Sequence, residues 1–370
     1  MRFWTTVAVS DEFAASVLST YFELNHPVLG LFDADLFLDD FINLRQDFCS
    51  AFLVNALLAL NAFYYQADRI KFRVPFPLLS FDDTGGGGPS GEADLQRLEK
   101  PLFMPGTLAN LSGLWRILQD VADAYFSRDT GLQPAHDTVP ISFAESRYQD
   151  LLRWATACRD DLFLEEPEYV LILQVLFHCA TLDIFAPFAK GSGAYRIRHF
   201  TSDDSSVDSV IRASILQLQR ILVSCRVEKK KLLLMAHTNA AILHVSNAML
   251  RMAGEGNVDK ADCQAHFDLC IANCTEMYTC FPVFASVGRG LLAMAMRDRF
   301  LDGGRAKELI AALEARGQHH DGTARKTLGS FTIDFDLAMR EPNNARAVVL
   351  AARFDELILL SELTTGTYES

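Results

Sequence analysis

The sequence predicts an all-α protein, a multi-helix array of packed antiparallel helices. Apolar residues recur at helical spacing almost everywhere, and convincing period-two alternation is hard to find. Half of the 370 residues are hydrophobic and 22% are charged, far from the profile of a disordered chain, so a large core can be buried. A continuous helical array can absorb this length as one unit. One domain, 1–370, is therefore expected, with flexible loops at 80–95 and 191–209, where "SFDDTGGGGPSGEAD" and "GSGAYRIRHFTSDDSSVDS" replace the periodic pattern.

The elements follow in order. "CSAFLVNALLALNAFYY" carries Cys49, Leu53, Ala56, Leu60 and Phe63 on one stripe and is apolar on most other sides, which predicts a central helix covered by neighbours. The longest apolar stretch, "YVLILQVLFHCATLDIFAPFA", contains Gln174, His178 and Asp183, which are costly at a bilayer centre. A buried helix of a soluble protein is expected there. After a break at "AGEGNVDK", Cys263, Phe267, Cys270, Cys274, Met277 and Phe281 are spaced by fours and threes, the pattern of a core face in which cysteine serves as a small hydrophobe. "RAKELIAALEARG" has Ala306, Leu309, Ile310 and Leu313 on one face, with Gly303 and Gly304 before it and Gly317 as a stop. Finally, Ala347, Leu350, Phe354 and Leu357 form a stripe that should dock the last helix on the core. Beyond it, Leu359, Leu360 and Leu363 among acids have the character of activation segments, although an ordinary terminal helix with a frayed tail has the same composition.

Charge and cysteine usage narrow the function classes. The formal net charge of −13 repels nucleic acid and anionic lipid. Cys49, Cys158, Cys179, Cys225, Cys263, Cys270, Cys274 and Cys280 lie in apolar surroundings without the spacing of a secreted disulfide scaffold, so reduced intracellular thiols are expected. The N-terminus reaches Asp11 and Glu12 before a signal-peptide core could form.

Each chemical motif meets a physical objection. Gly86, Gly88 and Gly91 satisfy a dinucleotide spacing, but "VPFPLLSFDDT" is proline-broken where a strand is required, and Glu92 follows where phosphate would need a cation. Cys263, His266, Cys270 and Cys274 would spread zinc ligands over about 16 Å of one helix, against the about 2.3 Å reach of a tetrahedral site. Asp160, Asp161 and Glu165 in "RDDLFLEE" have the look of a magnesium motif, yet no convincing second carboxylate-rich segment faces them, and a solvated helix end suffices. His237 and His244 stand two helical turns apart on one face, as core or interface histidines do. "VEKKK", Val227 to Lys231, fits an import signal or a solvated helix start, and no Gly-x-Ser-x-Gly elbow occurs. No catalytic, cofactor-binding or metal-ligating residue is expected, and the chain is not expected to be an enzyme.

Taken together, "VLSTYFELNHPVLGLFDADLFLDDF" and "CSAFLVNALLALNAFYY" resemble the start of the fungal-specific transcription factor domain, the helical middle homology region that accompanies binuclear zinc-cluster DNA-binding domains. The matching residues are Tyr21, Phe22, His26, Pro27, Phe37, Cys49, Ser50, Leu53, Asn55, Ala56, Leu58 and Ala59. "FPVFASVGRGLLAMAMRDRF" and "TIDFDLAMREPNNARAVVLAARFDEL" are similar to the nitrate-assimilation regulator type within that family, and "IFAPF", Ile184 to Phe188, stands where the family often ends an apolar helix in Arg-Pro-Phe. The specificity lies in the order of several weak motifs.

The resemblance implies a non-catalytic regulatory region acting in the nucleus through the transcription machinery or co-regulator proteins, without a membrane role and with homodimerisation left open. A helical enzyme or small-molecule binder with a cavity among the core helices is the alternative. His26 becomes architectural: a helix bearing Val17, Leu18, Tyr21 and Phe22 ends near Asn25, because Pro27 disfavours helix at the residue before it, and the chain turns towards Leu31, Phe32 and Phe37. No Cys-x-x-Cys pair occurs, so the family's zinc cluster is absent and no cofactor is expected in this chain. The family's Arg-Arg-x-Phe-Trp helix and alanine-rich helix are also missing between Tyr65 and Val74, a truncated form of the region. With an acidic chain and no groove-reading module, the 370 residues should not bind duplex DNA selectively; a sequence-selective mobility shift at physiological salt would contradict this.

Overall fold

The computed structural model describes residues 1–26, 31–58, 107–126, 139–161, 167–189, 195–197, 206–227, 236–256, 258–279, 281–316 and 332–365. Among them the protein is all-α and multi-helical, and β-pairing is confined to isolated bridges between Arg196 and Ser206 and between Thr332 and Arg346. Contacts cluster within the 1–370 region into two compact units, Met1–Ser112 and Gly113–Ser370. The expected loop 80–95 lies outside the described residues. Of 191–209, Tyr195 to Ile197 and Ser206 to Ser209 are described: the bridge to Ser206 leads directly into a helix at Val207.

In the first unit, α1 (Asp11–Thr20) starts on Ser10, whose side chain accepts from the Phe13 amide, and runs into one π-helical turn, Tyr21–Asn25, capped by His26. α2 (Ala34–Asn43) starts on Asp33, which accepts from the Leu36 amide at 3.0 Å, and closes at Leu44 in a left-handed conformation, φ 56°. The buried carboxylate of Asp40 then accepts from the amides of Phe48 and Cys49, so the turn into α3 (51–58) is stitched to α2. Each side-chain cap supplies about 1 kcal/mol by satisfying an otherwise orphaned amide.

Two expectations here are corrected. In α3 the buried residues are Val54, Leu57 and Leu58, whereas Ala56 is exposed and Phe52 is 84% exposed. Asn55 sets this orientation: it accepts from Thr5 Oγ1 at 2.7 Å and donates to the Trp4 carbonyl at 3.1 Å, turning its side of the helix to the N-terminal segment. Leu60 and Phe63 lie outside the described residues. Leu31 is 53% exposed and is no anchor; Phe32 and Phe37 are, with ring centroids 4.9 Å apart.

The second unit contains α4 (Thr107–Phe126, which enters it at Gly113), α5 (Ile141–Asp161), α6 (Pro167–Phe185, followed by a 3-10 turn Ala186–Phe188), α7 (Val207–Val227), α8 (Ala236–Glu255), α9 (Lys260–Tyr278), α10 (Phe284–Arg297), α11 (Gly303–Arg316), α12 (Phe335–Ala338) and α13 (Ala347–Thr365). Packed neighbours follow chain order, α5 on α6, α6 on α7 and α8, α8 on α9, α9 on α10 and α11, before α13 returns onto α10. Among the described residues one segment, Val170–Phe188, is long and apolar enough to cross a membrane by length and composition; here Leu173, Leu176, Cys179, Ile184 and Phe185 are buried inside the unit. The break before α9 is built by Gly256, whose φ of +70° suits glycine, and by Asp259, which caps α9.

α10 is buried along most of its length, and its "GRG" explains how. A Cβ on Gly288 would stand 2.3 Å from Leu313 Cδ1, and one on Gly290 would meet Ile333 Cδ1 at 2.3 Å and the Ala347 carbonyl at 3.3 Å. Between them, Arg289 reaches outward to Glu314 of α11 and, at 2.9 Å, to Asp355 of α13. The expected faces of the last two long helices are observed: Ala306, Ile310 and Leu313 of α11 and Ala347, Leu350 and Phe354 of α13 are buried, with Leu309 and Leu357 half-buried. Gly290→Ala should therefore destabilise the protein by about 1–3 kcal/mol through overpacking. A lowered urea midpoint checks it, and Ile333→Val, which removes the Cδ1 that the new methyl would meet, should recover part of the loss if the crowding is local.

Candidate functional site

His26 sits among aromatic rings. It is fully buried, its ring centroid lies 5.2 Å from Phe32, 5.4 Å from Phe22 and 5.7 Å from Tyr21, and Nδ1 is 3.5 Å from the Tyr21 hydroxyl. Burial pushes its pKa down, with Asp33 pulling partly the other way, so the neutral ring is favoured. Burial also pushes the Tyr21 hydroxyl up. The cluster continues through Phe37 and Phe41 to Trp4, whose indole donates to the Phe41 carbonyl at 3.1 Å.

In α9, Cys263, Phe267, Cys270, Cys274 and Met277 are all buried on one stripe, while His266 stands aside with Nδ1 2.9 Å from the Asp262 carbonyl. Burial pushes the Cys270 thiol up to about 12 and the Cys274 thiol higher still, the behaviour of packed, unreactive thiols. Asp160 and Asp161 occupy the last turn of α5, but their side chains and Glu165 lie outside the described residues, as do Gly86, Gly88, Gly91, Cys280 and the lysines of "VEKKK".

A largely apolar cavity of about 580 Å³ lies within the second unit, in the range of small-molecule sites. Trp115, Leu118, Val121 and Tyr125 of α4, Leu182 and Asp183 of α6, Ile211 and Ile215 of α7, and the chain from Thr332 to Pro342 wall it. From α8 come His244, Asn247, Ala248 and Arg251, at positions that share one helical face. Most of this lining is apolar.

Hydrogen bonds fix the walls. The Tyr125 hydroxyl donates to the Ile184 carbonyl at 2.6 Å, tying α4 to the end of α6. Asn247 donates to the Leu243 and Ile333 carbonyls at 2.9 and 2.7 Å and accepts from the Phe335 amide at 3.1 Å, clamping the segment before α12 to α8. Asp334, buried beneath that segment, caps α12 and is held by Arg297 at 2.7 Å. His244 Nε2 lies 3.3 Å from Asp183 Oδ1, and its ring packs 4.7 Å from Phe335. A largely apolar wall with a few fixed polar groups is suited to holding a molecule.

His237 does not join it: it is half-buried two turns away, with Nδ1 enclosed and without a hydrogen-bond partner among the described residues, and burial pushes its pKa down. The remaining residues of the site were not singled out from the sequence. The available signal was the repeat His237, His244, Arg251 at intervals of seven, which puts three basic side chains in a line down one face of the helix.

His178, one turn before Leu182, faces Ser214 Oγ at 3.3 Å, and burial pushes its pKa down to about 4. The unfolded chain's histidine titrates near about 6.5, so between these values the unfolded state binds more protons and stability falls as pH falls. His26 and His237 act in the same direction. The urea midpoint should be lower at about pH 5.5 than at about pH 7, a window in which ordinary carboxylates stay ionised, and His178→Gln should reduce the difference. An unchanged midpoint would contradict neutral burial. What the cavity holds must come from its own chemistry, since no protein-family model, curated protein or solved structure matches this chain.

Proposed function

We propose that the chain is a non-catalytic regulatory region of the fungal zinc-cluster transcription-factor type, acting in the nucleus through contacts with the transcription machinery or co-regulator proteins. One observation supports this reading: the segments that carry the family resemblance coincide with the structural framework of both units. Tyr21, Phe22, His26 and Phe37 form the aromatic cluster of the first unit, and Cys49 and Leu58 are buried beside them. "FPVFASVGRGLLAMAMRDRF" is the enclosed helix α10 of the second, and "TIDFDLAMREPNNARAVVLAARFDEL" supplies the cavity wall and α13. Surface for protein contact is present on α13, where Leu359 and Leu360 are 60% and 58% exposed.

Fusion of residues 1–370 to a heterologous DNA-binding domain in a fungal reporter strain tests the proposal. Reporter output clearly above or below that of the DNA-binding domain alone is expected, and Leu359→Ala with Leu360→Ala should weaken the effect without lowering the urea midpoint. Output equal to the DNA-binding domain alone would remove the regulatory reading.

The cavity favours a second reading, a small-molecule binder. Its volume of about 580 Å³ and largely apolar lining fit a ligand of drug size, and occupancy is compatible with a regulatory role.

A further inference from the structure

We infer that the cavity of the second unit takes an anionic amphiphile, an apolar chain ending in a carboxylate, with Arg251 as its anchor. The inference rests on the small-molecule reading and adds the chemical class of the ligand. Its first support is the lining: Leu118, Val121, Leu182, Ile211, Ile215 and Met339 offer an aliphatic surface without polar competition.

The second is a tally of polar groups by what each already does. Asn247 spends its amide on two carbonyls and one amide of the protein. The Tyr125 hydroxyl is used on Ile184, and His244 stands between Asp183 and Phe335. Asp336 is exposed in the first turn of α12. Arg251 differs: it lines the cavity half-buried, and it has no hydrogen bond or ion pair among the described residues. The Thr332 hydroxyl, also lining the cavity, has no side-chain hydrogen bond among them either. A guanidinium presents five donors in a planar fork that matches a carboxylate. One seated against an apolar cavity without a carboxylate of its own is completed by a ligand that brings one.

Charge sharpens the test, because the carboxylates of the lining oppose an anion. The chain carries −13 overall, and Asp183 and Asp336 line the same cavity. Without Arg251 an acid should bind worse than the matching alcohol; with it, better. That reversal of order is specific to the proposal.

Calorimetric titration of the 370-residue chain at neutral pH with decanoate, decanol and decylamine, each below its aggregation threshold, reads it. Decanoate should bind about tenfold or more tightly than decanol, the expected gain from a charge-assisted hydrogen bond. Arg251→Met should abolish or invert that order while leaving decanol affinity and the urea midpoint unchanged, and Arg251→Lys should keep part of the preference. If decanol binds as tightly as decanoate, or decylamine binds more tightly, the cavity is a binding site but the anionic class is wrong. Binding of none of the three would overturn both the class and the small-molecule reading.

Discussion

Close approach at Gly288 and Gly290 is the constraint on which the second unit depends. With no Cβ at either position, α10 lies against Leu313 on one side and against Ile333, Ala347 and Leu350 on the other, near enough that an added Cβ would force Leu313 or Ile333 to shift. The helix gives up propensity for this, since glycine in a helix interior costs about 1 kcal/mol relative to alanine. Burial of Val287, Leu291, Leu292, Met294 and the helices they touch offsets it. Arg289 sits between the glycines at the edge of the contact, where its bonds to Glu314 and Asp355 link α11 and α13 across α10. Both acids are partly exposed, so these pairs add register more than stability.

The same close contact places the cavity. Ile333 is fully buried against α10, its amide donates to the Ala345 carbonyl at 2.9 Å, and its own carbonyl accepts from Asn247. One residue later, Asp334 is held from beneath by Arg297 at the end of α10. Three groups from α8 and α10 thus determine the path of a segment that has little helix of its own. Only Asp334 of this pair is buried, Arg297 being exposed, and the Leu337 amide on the carboxylate together with the guanidinium offsets the desolvation of Asp334.

Local and periodic features were legible in the sequence. The all-α class, the cysteine stripe of α9, the apolar face of α11 and the docking stripe of α13 each follow from spacing within one helix, and spacing survives whatever the partner is. The displaced face of α3 was not legible, because Asn55 takes its partners from Thr5 and Trp4, some fifty positions earlier. Leu31 failed as an anchor for a related reason: hydrophobicity marks residues able to be buried, and only tertiary geometry decides which are. The cavity was the least legible feature. Its walls come from α4, α6, α7, α8 and the chain around α12, and no single stretch announces a shared surface. Only the heptad line of His237, His244 and Arg251 left a trace, and a polar line on a helix usually faces water.

The segment walling the cavity also leads into α13. Thr332 pairs with Arg346, Ile333 bonds to Ala345, and the first residue of α13, Ala347, is fully buried against α10. A molecule that binds this wall in the native state and not in the unfolded chain stabilises it by mass action. The stabilisation is shared with every contact that forms only when the wall is in place, and the docking of α13 is among them. Exposed Leu359 and Leu360 stand farther along that helix, beyond buried Phe354. Cavity and exposed apolar surface are therefore joined by one continuous backbone path, pinned by Asn247 at one point and by the glycines of α10 at the next.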